Sequence, residues 1–152
     1  MKELKYKGVL KEIALMSKDR NTKVGAIALD NKFNIVSTGY NGFPRGVNDD
    51  VEERHQRPDK YLWTSHAEEN LVAQAAYMGK SLKDTTVLVS SLFACNVCAR
   101  MLVQAGVKRI IAPAADEGNW KNSNEVAIEI FKEAGVEIIF KDELSKINLF
   151  NT

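Results

Sequence analysis

His66, Cys95 and Cys98 are side chains of the kind that ligate a transition metal, and Glu68 stands two residues past the histidine. The chain holds two histidines and two cysteines in all, so one histidine and both cysteines fall into this pattern. Structural zinc sites are closed by four protein ligands, whereas catalytic ones use three and keep a position open for water. Three ligands with no third cysteine fit the second kind. A metal held there would lower the pKa of its water to about 7. Glu68 is too near His66 along the chain to bind the same ion easily, and is placed instead to move the water's proton. The same residues admit blander readings. Ser65-x-x-Glu68 fits a capping box, in which Glu68 only closes a helix start. Cys95-x-x-Cys98 fits a redox pair, which would leave His66 and Glu68 without a part. Taken together, the four residues favour a metal with a carboxylate beside it. The other histidine, His55, lies in the charged run Glu52-Glu53-Arg54-His55-Gln56-Arg57 and reads as a solvated surface residue.

The surrounding pattern predicts the elements that must hold these groups. Apolar positions from Leu4 to Lys18 recur at close to helical spacing. Val24–Leu29 and Phe33–Tyr40 read as strands joined by the turn Asp30-Asn31-Lys32, a β-hairpin. Asn41–Trp63 reads as a long irregular loop, and loops of that length are usually functional or mobile. Ser65–Met78 reads as a helix, Thr86–Val89 as a strand and Cys95–Ala105 as a helix. Val107–Ala112, the helix Asn124–Ala134 and the strand Val136–Phe140 complete the alternation, and the last dozen residues read as a short helix or tail. Strand–helix–strand order favours parallel pairing. The prediction is one α/β domain over residues 1–152: a mixed sheet of about five strands with helices on both faces. Both halves of the metal motif fall at helix starts, where the dipole favours a thiolate.

The 152 residues suffice for one domain with a sizeable core, and 45% hydrophobic with 27% charged residues is ordinary for a globular chain. A formal charge of +1, from 21 basic and 20 acidic residues, argues against an extended nucleic-acid surface. No apolar run reaches the roughly 20 residues that span a bilayer, and the first residues carry no export pattern. The expectation is a reducing cytoplasm, that of a host cell if the gene is viral, with neither nucleic acid nor membrane as partner.

His66-Ala67-Glu68 followed by Cys95-x-x-Cys98 resembles the zinc-dependent cytidine and deoxycytidylate deaminases, whose signature is H-x-E with P-C-x-x-C. Thr22-Lys23-Val24-Gly25-Ala26, the stretch from Ser37 through Gly39-Tyr40-Asn41-Gly42-Phe43-Pro44-Arg45-Gly46, and His66-Ala67-Glu68-Glu69-Asn70 are similar in order and spacing to the deoxycytidylate branch. The likeness covers roughly residues 10 to 140. Ala94 departs from the pattern, standing where the family has proline.

The resemblance implies a three-layer α/β/α fold and hydrolytic deamination of dCMP to dUMP, a step that feeds thymidylate synthesis. Zn2+ would be held by His66, Cys95 and Cys98, with Glu68 as the proton shuttle. It also implies a substrate pocket in which the Ala67 N–H meets the pyrimidine carbonyl, the carbonyl near Phe93 receives the amine, and Asn41 bonds the sugar and base edge. Trp120 would wall the sugar or pack as core, and Arg20, Asn21 and Lys23, which equally suit solvated loop positions, would contact the phosphate. For Asn41 a turn with positive φ is the lesser alternative that the Asn-Gly pattern allows. The resemblance further implies a nucleotide effector site around Gly42, Phe43, Arg45, Asn48 and Asp49, where dCTP activates and dTTP inhibits. Mg2+ would accompany such an effector, and the assembly would be a homo-hexamer. The same chemistry on dCTP, or a zinc module without catalysis, are the competing readings.

Overall fold

The computed structural model describes residues 1–145. A 3-10 turn, Lys2–Tyr6, runs into helix α1, Lys7–Leu15, so the first predicted helix is two pieces. Strands β1, Gly25–Leu29, and β2, Ile35–Tyr40, form the expected antiparallel hairpin, with Gly25 opposite Tyr40 and Ala26 opposite Gly39. The long loop that follows is not wholly irregular: it contains a 3-10 turn, Glu52–His55, and a one-turn helix α2, Lys60–Trp63. Helix α3, Ala67–Tyr77, strand β3, Thr86–Val89, helix α4, Asn96–Gln104, strand β4, Arg109–Ala112, helix α5, Lys121–Glu133, and strand β5, Glu137–Phe140, then alternate as the sequence predicts. A last 3-10 turn covers Asp142–Leu144. The remainder of the predicted C-terminal helix or tail lies outside the described residues.

The sheet order is β2-β1-β3-β4-β5, with β1 antiparallel to both its neighbours and β3, β4 and β5 parallel. Strand alternation splits the core in two. Ala26, Ala28, Val87, Val89, Ile110 and Ala112 face α3, α4 and α5. Ile27, Leu29, Leu88 and Ile111 face Leu10 of α1 and Leu144 of the last turn. The five-stranded mixed sheet between helical layers is the α/β fold that the sequence predicts, with its second face covered by α1 and one C-terminal leucine among the described residues.

Close approach fixes two glycines. A Cβ at Gly39 would come within 2.2 Å of the Ala67 carbonyl, and one at Gly25 within 2.8 Å of the Leu10 carbonyl. Gly39 therefore lets the start of α3 lie directly on β2. The parallel strands end on one side of the sheet, and crevices outside such strand ends are where α/β folds place ligands. No helix of the described residues is long and apolar enough to cross a membrane.

Candidate active site

The metal corner is built by two helix starts. His66 is the N-cap of α3, and its backbone N–H donates to Glu69 Oε1 at 2.9 Å. Glu69, rather than Glu68, thus closes the helix, which overturns the capping reading of Ser65 with Glu68 and leaves the Glu68 carboxylate for other work. Cys95 is the N-cap of α4, its sulfur accepting the Cys98 N–H at 3.4 Å. The backbone of Gly42 and Ser65 pairs in both directions, at 3.1 and 2.8 Å, which brings the end of β2 alongside the histidine.

His66 Nδ1 lies 3.5 Å from Cys95 Sγ and 3.4 Å from Cys98 Sγ, and all three donor atoms fall within 4.8 Å of one another. Tetrahedral zinc with nitrogen at about 2.0 Å and sulfur at about 2.3 Å spaces its ligand atoms about 3.5 Å apart. The donor set fits zinc in kind, number and spacing.

Without metal the three groups share protons. A hydrogen bond from Cys98, with help from His66, draws Cys95 down to about 4. Its sulfur in turn pushes His66 up to about 9. Hydrogen bonding to Cys95 and burial drive Cys98 well above the usual thiol range. The shifts favour a thiolate at Cys95 beside protonated His66 and Cys98. Glu68 is 5% exposed, and burial pushes its carboxyl up to about 7.

His66, Glu68 and Cys95, with Ala67, line a cavity of about 560 Å³. Loops after all three parallel strands wall it: Ser91–Phe93 after β3, Pro113–Glu117 after β4, and Asp142 with Ser145 after β5. The Trp120 ring meets His66 edge-on at 6.1 Å. Asn124, fully enclosed at the start of α5, donates to the Ala94 carbonyl at 3.1 Å and accepts the Asp116 N–H at 2.8 Å. It ties the cysteine loop to the β4–α5 loop, so the turn at Ala94 is held from outside although it lacks the ring constraint of a proline.

The residues expected at the substrate divide. Ala67, Phe93, Asn41 and Trp120 all line the cavity. Asn41 has no left-handed backbone; its side chain accepts the Val24 N–H at 2.8 Å and donates to the Thr22 carbonyl at 2.8 Å, which fixes the entry to β1. Arg20, Asn21 and Lys23 are not on the cavity wall. Arg20 pairs with Glu52 at 3.0 Å in solvent, Asn21 Oδ1 accepts a hydrogen bond from Lys60, and the Lys23 carbonyl accepts the Ser91 hydroxyl. The cations that do line it are Arg57 and Lys60. Lys60 Nζ sits 3.2 Å from Asp19 Oδ2, both side chains being over nine-tenths buried. Burial alone would raise the Asp19 carboxyl, but the Thr22 and Asn21 N–H groups and Lys60 together hold it below the usual carboxylate range.

The expected effector residues with side chains engage neighbours outside their own set. Phe43 stacks on His55 at 4.7 Å and approaches Trp63. Arg45 reaches Gln74 and lies over Tyr77. Asn48 accepts from the Asp50 N–H and from Arg54, and Asp49 pairs with Lys18 at 2.8 Å. His55 is not the solvated residue its charged neighbours suggest: it is 6% exposed, with Nε2 2.6 Å from the Asp49 carbonyl. Packing on Phe43 takes it inside. A hollow of about 90 Å³ lies between this loop and Lys18, bounded by Gly42, Phe43 and His55.

Comparison with known proteins agrees with this corner. The family model of the cytidine and deoxycytidylate deaminase zinc-binding region matches residues 2–114. A probable deoxycytidylate deaminase of Caenorhabditis elegans is 42% identical over 112 residues, 72% of this chain and 55% of its own. The human deoxycytidylate deaminase is 35% identical over 130 residues, 81% of this chain and 70% of its own. The chain thus spans about half the length of the nematode relative. In fold it resembles the dCMP deaminase of cyanophage S-TIM5, solved in complex with dCMP and dUMP, with a TM-score of 0.74 at 24% identity over 91% of this chain and 96% of that one. By its matched zinc-binding region, the chain belongs to the cytidine and deoxycytidylate deaminase family.

Proposed function

We propose that this chain hydrolyses dCMP to dUMP and ammonia. The observation that carries the reading is Glu68: a buried carboxylate two residues past a metal ligand, free of capping duty, on the wall of the cavity that His66 and Cys95 also line. His66, Cys95 and Cys98 would hold zinc, which when bound supplies an activated water at neutral pH. Glu68 takes one proton of the attacking water and delivers it to ring N3, where it stays, then carries the water's second proton from the new C4 hydroxyl to the departing amine, a general acid–base duty. The Ala67 N–H, among the first of α3 and so without a helical partner, meets the pyrimidine carbonyl. The carbonyl near Phe93 receives the amine, while Trp120 and Asn41 flank the sugar.

For the phosphate, Lys60 and Arg57 replace Arg20, Asn21 and Lys23 in this reading, because they are the cations on the wall. Asp19 leaves only part of the Lys60 charge uncompensated, which suits one phosphate better than three. Side-by-side turnover of dCMP, dCTP and deoxycytidine tests this. The account expects dCMP to be preferred; preference for dCTP would move the phosphate site, and inactivity on all three with zinc bound would favour a zinc module without catalysis.

The effector reading of Gly42–Asp50 is carried by the small hollow beside Lys18, which shares Asp19, Asn41 and Thr64 with the main cavity wall. A nucleotide would have to part Asp49 from Lys18 to enter it, with Mg2+ accompanying a triphosphate. A flat response of dCMP turnover to dCTP and dTTP would remove this reading. Sedimentation of the protein tests the hexamer.

A further inference from the structure

Past β5 the chain crosses the ends of the parallel strands and turns at Asp142–Leu144. Leu144 is fully buried against Leu10, Ile27, Leu29, Leu88 and Ile111. Its carbonyl accepts the Ser91 N–H at 3.0 Å. Ser91 has φ +69, a left-handed backbone that it shares with Phe33 and Asp84 as the non-glycine cases among the described residues. Phe33 and Asp84 sit in turns that lead into strands, whereas Ser91 lies on the cavity wall. A residue with a Cβ is unfavourable in that conformation and keeps it only where its surroundings over-determine it. Here they do so from two sides. The Ser91 hydroxyl donates to the Lys23 carbonyl at 2.9 Å and the neighbouring Ser90 N–H to the Gly25 carbonyl at 2.9 Å, both at the start of β1. The turn at Leu144 supplies the other grip. Immediately downstream come Leu92 and Phe93 of the cavity wall and the metal ligand Cys95.

We infer that the C-terminal turn is a strap: Leu144, seated in the core, holds Ser91 in its left-handed conformation and thereby sets where Leu92, Phe93 and Cys95 stand. Leu144 and Ser91 are positioning residues and touch no reacting atom. When the strap loosens, Ser91 relaxes to negative φ, and the loop carrying Phe93 and Cys95 moves with it. Glycine adopts positive φ at no steric cost, so Ser91→Gly should relieve the need for the strap.

The test compares Leu144→Ala, Ser91→Gly, the double variant and, as a control, Ser91→Ala, which loses the hydroxyl and keeps the strain. The readouts are zinc affinity, the visible spectrum of the cobalt-loaded protein, kcat and KM for dCMP, and melting temperature. Leu144→Ala is expected to lower metal affinity and turnover by about 10- to 100-fold, the range for groups that orient metal ligands, and to lower the melting temperature. In the double variant, metal affinity, cobalt spectrum and turnover should return towards those of Ser91→Gly alone while the melting temperature stays low. A double variant as poor in metal affinity as Leu144→Ala, or a Leu144→Ala protein that loses only melting temperature, would overturn the inference. The kinetic arm rests on the deaminase reading; the zinc and cobalt arms contain no substrate, so an inactive but metal-loaded protein would count against that reading and leave the strap to be decided on metal affinity.

Discussion

The metal corner and the outer loop differ in what their charged and polar side chains are doing. At the corner, His66, Cys95 and Cys98 turn their donor atoms towards one point, and Glu68 is kept out of the helix cap. In the outer loop the charges meet neighbours instead: Glu52 holds Arg20, Asp49 holds Lys18, and Arg45 reaches Gln74. The corner converges because two helix starts dictate it, each with its ligand at the N-cap. The loop has no such frame, so its residue types say little about where its charges end up. Lys60 differs in where its pairing leads: Asp19 draws it inward until, with Arg57, it lines the cavity.

The largest expected effects lie at the corner. Cys98→Ala should remove the metal on dialysis and with it all turnover; a protein that kept zinc and activity would show that the three donors are not the site. Next comes the proton count. With Cys95 drawn down and His66 and Cys98 pushed up in the metal-free state, loading zinc at pH 7 is expected to expel about two protons. Affinity should therefore rise with pH, by about a hundredfold per unit between Cys95's value near 4 and His66's near 9. Calorimetric titrations in buffers of different ionisation heat give the number directly, and a pH-independent affinity would contradict the assigned charge state.

The loop yields smaller effects, and unequal ones. Lys60→Ala should raise KM for dCMP by about tenfold, a loss of about 1.4 kcal/mol of binding, with little change for deoxycytidine. It should also cost about 3 kcal/mol of stability, because Asp19 is left buried without its partner. Asp19 has a depressed carboxyl, so its contribution is present above the unfolded carboxylate range and lost as pH falls through the folded value; the deficit of Lys60→Ala should shrink in acid. Arg20→Ala should leave KM unchanged and alter stability by at most about 0.5 kcal/mol, since both partners are exposed. Equal effects of the two substitutions on KM would erase the distinction drawn between them.

What could be read from the sequence follows the same division. The metal motif and the strand–helix alternation are local patterns with fixed spacing, and the structure keeps both. The cations on the cavity wall were not legible, because Lys60 meets Asp19 across 41 residues and no local pattern marks either. Asn124 carries no signal that separates a residue bridging two site loops from any asparagine near a helix start. His55 misleads for a related reason: its sequence neighbours are charged, and the stacking partner that buries it is twelve residues earlier. Ser91 reveals nothing until its φ is known.

The central claim is that Glu68 moves protons in a zinc site it does not help to build. It is tested most directly by the turnover of dCMP by Glu68→Gln, measured beside its zinc content and melting temperature. The account predicts a full complement of zinc, an unchanged fold and a kcat lower by about a thousandfold, within the range for a lost general acid–base. Turnover near that of the unaltered protein, or loss of zinc and fold together, would contradict it.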